Sequence, residues 1–113
     1  MTVKRLIWAK FLNAGQTCIA PDYVYIHETI KEDFLKECKK EIESSKYSFE
    51  NKNYVQIIDD KNYNRLVNLI DKEKIFLGGK HNIHTRYIEP TILENVKDND
   101  EIMKDEIFGP ILP

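Results

Sequence analysis

At 113 residues the chain has the size of one ordinary domain, long enough to bury about two thirds of the surface its unfolded form exposes. Apolar residues make up 42% and charged residues 32%, a globular and not a disordered composition, and the formal charge of -2 offers no basic field to hold nucleic acid. Two cysteines, Cys18 and Cys38, without a CxxC pair fit free thiols in a reducing compartment; no apolar stretch approaches the roughly 20 residues that span a bilayer, so a soluble cytoplasmic location without a membrane partner is expected.

In chain order, Val3 to Leu12 reads as an amphipathic helix, with Val3, Leu6, Ile7 and Phe11 on one face and Trp8 and Leu12 widening it. Gly15 is the kind of residue that ends a helix in the left-handed conformation, and Pro21 closes the connection before an apolar alternation begins. Tyr23 to His27 has the aromatic and branched composition of a strand. Thr29 followed by Glu32 is a capping box, predicting a helix from Thr29 whose apolar stripe is Ile30, Phe34, Leu35, Cys38 and Ile42. Cys38 on that stripe is a core thiol.

Residues 44–53 are polar and aromatic without a period, and read as a surface connection. A third helix over Asp60 to Asp71 presents Tyr63, Leu66, Val67 and Ile70, with aspartates favouring its N-terminal end. Ile75 to Leu77 is a short strand stopped by Gly78 and Gly79, and Tyr87 to Leu93 is an extended segment carrying Pro90. Helices and strands interleave, which points to an α/β arrangement. His81 and His84 stand three apart, yet no neighbouring cysteine or carboxylate completes a ligand set, so a solvated loop is the better reading and no metal is expected.

Cys18 lies in the tight connection after the first helix, where flanking rigid elements can present a side chain to a ligand. By itself it reads equally as a nucleophile or as a small buried hydrophobe. The surrounding string decides between them. Asn13-x-Gly15-Gln16-x-Cys18 resembles the nucleophile segment of the aldehyde dehydrogenase superfamily, and Glu106-Ile107-Phe108-Gly109-Pro110 resembles a second signature of that family, in the same order and at about the same separation. Ile19-Ala20-Pro21-Asp22-Tyr23 is most like the class 3 and fatty aldehyde dehydrogenase branch. The resemblance extends over Phe76-Leu77-Gly78-Gly79 and Arg86-Tyr87-Ile88-Glu89-Pro90-Thr91 to essentially the whole chain.

The resemblance implies that residues 1–113 are part of the catalytic domain, truncated at both ends, of an NAD- or NADP-dependent enzyme oxidising aldehydes to carboxylic acids. Cys18 would be the catalytic nucleophile, Glu106 would accept from the nicotinamide ribose hydroxyls, and Phe108 would border the nicotinamide. Arg65 matches a position that approaches the cofactor in some relatives, and reads equally as an exposed helical arginine. The family's Glu-Leu-Gly-Gly-Lys type motif, which carries its general base, and its oxyanion asparagine belong to sequence ahead of this chain; Gly78-Gly79-Lys80 follows Leu77 without the glutamate. The isolated chain is therefore expected to be inactive, with Val3, Trp8 and Ile111 facing missing elements, and the parent enzyme to be a homo-oligomer. Two other readings stay open: a noncatalytic folding or assembly segment of the same fold, and a small thiol redox protein, disfavoured because no resolving cysteine stands near Cys18.

Overall fold

The computed structural model describes residues 2–47 and 54–113. Helix α1 runs over Thr2–Phe11 and passes directly into a 3₁₀ turn at Leu12–Gly15. Helix α2 spans Lys31–Ser45 and packs against α1, and α3 spans Asp60–Leu69. Five short strands follow: β1 at Ile75–Leu77, β2 at His81–Asn82, β3 at Tyr87–Ile88, β4 at Thr91–Leu93 and β5 at Ile111–Leu112. The chain mixes helices and strands as expected, but the three α-helices come first and the strands afterwards, in one mixed sheet and one hairpin, because the strand expected at Tyr23 to His27 does not form.

The three-stranded sheet has the order β1-β4-β5. β1 pairs antiparallel with β4, placing Ile75 opposite Leu93, and β4 pairs parallel with β5, placing Thr91 opposite Ile111. β4 is buried along its whole length because it is the central strand. A run of three buried residues, Thr91, Ile92 and Leu93, suits a strand covered on both faces. β2 and β3 form a separate antiparallel pair, with His81 opposite Ile88. Thr91 joins the strands to the glycine turn: its Oγ1 accepts from Gly79 N–H at 3.0 Å and donates to the Glu89 carbonyl at 2.8 Å.

The core gathers Ile7 and Phe11 from α1, Leu35 and Cys38 from α2, Tyr63 and Leu66 from α3, and Ile88, Ile92, Leu93, Ile107, Ile111 and Leu112 from the strand region. A file of aromatic rings crosses it. Phe11 meets Tyr47 at a centroid distance of 6.4 Å, Tyr47 meets Tyr54 at 5.8 Å, and Tyr54 meets Tyr87 at 6.5 Å. The buried Tyr54 hydroxyl donates to the Ile88 carbonyl at 2.6 Å, the partner such a polar tip requires.

Several expectations need correction. Tyr23 to His27 joins no ladder: Val24 N–H donates to the Pro113 carbonyl at 3.1 Å, and Tyr23 and Tyr25 are exposed. Thr29 does not cap α2, because the His27 ring engages it instead; His27 Nδ1 lies 2.8 Å from Thr29 Oγ1 and accepts from Thr29 N–H at 3.2 Å. The helix starts two residues later, and Ile30 is exposed. Ile111 is fully buried, since β5 is paired with β4 inside the chain, whereas Trp8 is 60% exposed. The surface connection predicted over 44–53 begins within α2, and its residues 48–53 lie outside the described residues.

The third helix follows its prediction most closely. Asp59 caps it, its side chain accepting from Asn62 N–H at 2.8 Å, and Tyr63 and Leu66 turn inward. Leu66 is fully buried with its methyl groups against Gly109. Leu66→Ala is expected to cost about 2–5 kcal/mol, whereas Ile19→Ala, at a side chain 85% exposed, should stay within about 0.5 kcal/mol. Urea unfolding of the two variants beside the unaltered chain measures both.

Candidate active site

The Cys18 loop starts from an unusual backbone. Asn13 (φ 55), Ala14 (φ 53) and Gly15 (φ 72) are three consecutive residues in the left-handed region. Only glycine adopts it freely, and each non-glycine residue there costs roughly 1–2 kcal/mol. The surroundings hold it in place. A Cβ on Gly15 would collide with the carbonyl of Gly109 and lie 3.1 Å from that of Lys10, so the approach of the two glycine backbones admits no side chain. This contact brings the two motifs quoted above, 13–18 and 106–110, together in space.

Gln16 secures the near end of the loop. Its Nε2 donates to the carbonyls of Asn13 and Gln56, each at 3.1 Å, and its Oε1 accepts from Ile58 N–H at 2.9 Å. A primary amide that engages the carbonyl of one residue and the N–H two further on stands in for a neighbouring strand. On the opposite edge Ile57 exchanges bonds with Arg86, Ile57 N–H to the Arg86 carbonyl and Arg86 Nε to the Ile57 carbonyl, both at 2.9 Å. Segment 56–58 is thus clamped from both sides, and the Cys18 loop is fixed to it two residues before the thiol.

Cys18 itself sits in the turn closed by Ala20 N–H donating to the Thr17 carbonyl at 3.2 Å. Its side chain is exposed, which sets aside the reading of a buried hydrophobe, while Cys38 is fully buried. In the second segment Ile107 points into the core, 1% exposed, and leaves Glu106 and Phe108 on either side facing solvent. Phe108 also has a left-handed backbone (φ 52), a strained conformation of the sort that clusters at functional sites. Ile107 N–H donates to Asp22 Oδ1 at 3.2 Å, a second tie between the segments. Arg65 is half-buried and donates from Nε to Asn62 Oδ1 at 3.1 Å. His81 pairs with the Tyr63 hydroxyl at 3.1 Å, His84 is exposed, and no metal-binding group of three ligands occurs among the described residues.

Cys18, Glu106 and Phe108 lie on open surface. A groove of about 230 Å³, between segment 23–26, α2 and β4, is lined by none of the three. Sequence reasoning quoted Gln16 and Asp22 within motifs without assigning them an anchoring role, and passed over Lys10. Lys10 had a signal: it sits on the same helical face as Val3 and Ile7, where an apolar residue is expected.

Burial lowers the Lys10 ammonium to about 8 from its ordinary 10.5, against an opposing pull from Asp22. A lysine whose pKa is depressed on folding binds fewer protons in the folded chain than in the unfolded one. Stability therefore rises with pH between the two values. Cys38 acts in the opposite sense, since burial raises its thiol from 9.0 to about 11 and that contribution is lost as pH climbs through this range. Comparison with Lys10→Met isolates the lysine. Relative to that variant, the unaltered chain is expected to gain about 3 kcal/mol between pH 8 and pH 10.5, read from urea unfolding at a series of pH values.

The family model for the aldehyde dehydrogenase family matches residues 1–113, the full length of the chain. The dimeric NADP-preferring aldehyde dehydrogenase of Mus musculus is 40% identical over 115 residues, covering 97% of this chain and 25% of the relative. Aldehyde dehydrogenase family 3 member A2 of Macaca fascicularis is 39% identical over 113 residues, covering 97% of this chain and 23% of that protein. The solved substrate-bound state of Staphylococcus aureus AldH superposes with a TM-score of 0.93 at 39% identity, over 98% of this chain and 25% of that one. The chain spans about a quarter of the length of these relatives. With its two motif segments locked together at Gly15 and Gly109, the chain belongs to the aldehyde dehydrogenase family, among relatives of the class 3 branch.

Proposed function

We propose that residues 1–113 are the part of a catalytic domain that supplies the nucleophile and a portion of the cofactor site of an NAD- or NADP-dependent aldehyde dehydrogenase. One observation carries this reading: an exposed thiol on a rigidly anchored loop is tied, through Gly15–Gly109 and Asp22–Ile107, to a segment that turns a carboxylate and an aromatic ring outward. The name of the mouse relative, dimeric and NADP-preferring, supports both the cofactor class and a homo-oligomeric enzyme. Exposed Trp8, Ile19 and Tyr25 supply apolar surface suited to association.

The residues fit a nicotinamide nucleotide. Glu106 is acceptor-only when ionised and can take both hydroxyls of a ribose diol, while Phe108 offers a flat apolar edge to a planar ring. When bound, the cofactor supplies the acceptor for the hydride that leaves the aldehyde carbon. Cys18 does the covalent work. Its thiolate adds to the carbonyl carbon, forming a carbon–sulfur bond and placing negative charge on the oxygen, which the backbone amide of Cys18 helps to hold. Loss of hydride from this thiohemiacetal leaves a thioester on Cys18, and water releases the acid and returns the thiol. The rigid loop keeps sulfur and substrate in one geometry through both steps.

The chain contains no Glu-Leu-Gly-Gly-Lys sequence to activate that water, so the 113 residues alone are expected to show no sustained turnover. In the enzyme that contains them, Cys18→Ala and Glu106→Gln should fail differently. Cys18→Ala abolishes oxidation and any thioester burst while cofactor binding survives. Glu106→Gln weakens ribose anchoring by about 1–3 kcal/mol, which slows hydride transfer roughly 5-fold to 150-fold and makes it more sensitive to deuterium at the aldehyde carbon. Stopped-flow measurement of cofactor reduction with deuterated and undeuterated aldehyde reads both. A Glu106→Gln enzyme with normal hydride transfer and blocked thioester hydrolysis would instead make Glu106 the base.

A further inference from the structure

Among the described residues, Lys10 is the charged side chain with no exposure at all, on an apolar helix face beside Ile7 and Phe11. A methionine would fill similar space without the cost of desolvating an ammonium, so the charge must act where a hydrocarbon cannot. Its Nζ donates to the Pro21 carbonyl at 2.8 Å. The next residue, Asp22, acts on the same ammonium through its charge, and Asp22 Oδ1 accepts from Ile107 N–H at 3.2 Å. The Cys18 loop is thus held at both ends, by the Gln16 amide on segment 56–58 and by Lys10 at Pro21.

We propose that Lys10 is a positioning residue: its buried ammonium holds the exit of the Cys18 loop and directs Asp22 onto the Ile107 amide, so that the loop and the Glu106–Phe108 segment keep one register. The Gly15–Gly109 contact sets how closely the two segments approach, but one point of contact leaves them free to pivot about it. The Lys10, Asp22 and Ile107 chain adds a second point on the far side of the thiol and removes that freedom. Its relevance to catalysis rests on the reading of Cys18 and Glu106 proposed above; the coupling itself does not.

Amide hydrogen exchange of the ¹⁵N-labelled chain, followed by NMR, tests the coupling. Lys10→Met is expected to speed exchange at Ile107, which Lys10 does not bond directly, by about threefold or more, while Leu35 and Cys38 in α2 exchange as before. Asp22→Asn, a change at a half-buried residue, should produce the same local acceleration, and the double variant should exchange no faster than Asp22→Asn alone. Lys10→Arg should restore part of the protection. Unchanged Ile107 exchange in Lys10→Met would overturn the proposal, as would equal acceleration at Ile107 and throughout α2, the mark of general loosening. Should Lys10→Met fail to fold, Asp22→Asn decides: normal Ile107 protection in that variant refutes the coupling. Cys18→Ala should leave Ile107 protected, so failure of the nucleophile assignment would be seen separately in aldehyde oxidation.

Discussion

Two peptide backbones meeting at Gly15 and Gly109 are the constraint on which the rest of the candidate site depends. A Cβ on Gly15 would strike the Gly109 carbonyl, and a Cβ on Gly109 would strike the Leu66 side chain. Leu66 therefore backs Gly109, Gly109 backs Gly15, and the left-handed turn of Asn13 and Ala14 is braced by packing that begins on α3. Strain in that turn can persist because buried neighbours leave no relaxed alternative. The thiol three residues beyond Gly15 inherits its position from this stack.

Polar contacts complete what packing starts. The Gln16 amide takes the place of a strand against 56–58, and the Lys10 ammonium takes the Pro21 carbonyl. Both satisfy backbone groups that a tight loop would otherwise leave to water or, worse, bury without partners. Anchoring a loop through side-chain amides and a single charge leaves its tip free of secondary structure, and that is where an exposed cysteine can meet a ligand.

Apolar surface is distributed unevenly. The strand side of the core closes on itself because β4 lies between β1 and β5. The outer side of α1 and the segment 23–25 do not close: Trp8, Tyr23 and Tyr25 remain exposed, and Tyr25 donates its hydroxyl to Asp98 at 2.9 Å. A groove lined by Val24, Phe34 and Leu93 runs beneath that segment. Segment 23–25 is tied to the chain beyond β5 by the bond from Val24 N–H to the Pro113 carbonyl.

Periodicity and spacing in the sequence were enough for α1, for α3 with its inward Tyr63 and Leu66, for the strand halted at Gly78, and for the core position of Cys38, because each depends on contacts within a few residues or on a repeating face. The two motifs and their family were equally legible, being strings of adjacent residues. Local pattern misled where a local competitor or a distant partner intervened: the His27 ring claimed Thr29, and Tyr23 to His27 found no ladder. It was silent on β5, whose two residues become a strand only by pairing with β4, Ile111 with Thr91 and Leu112 with Ile92. Tertiary structure alone decided that Gly15 meets Gly109, that Gln16 reaches segment 56–58, and that Lys10 is buried against Pro21. Those contacts join residues far apart in the chain through backbone atoms that carry no sequence signature, and such atoms come within reach only after the core has folded around them.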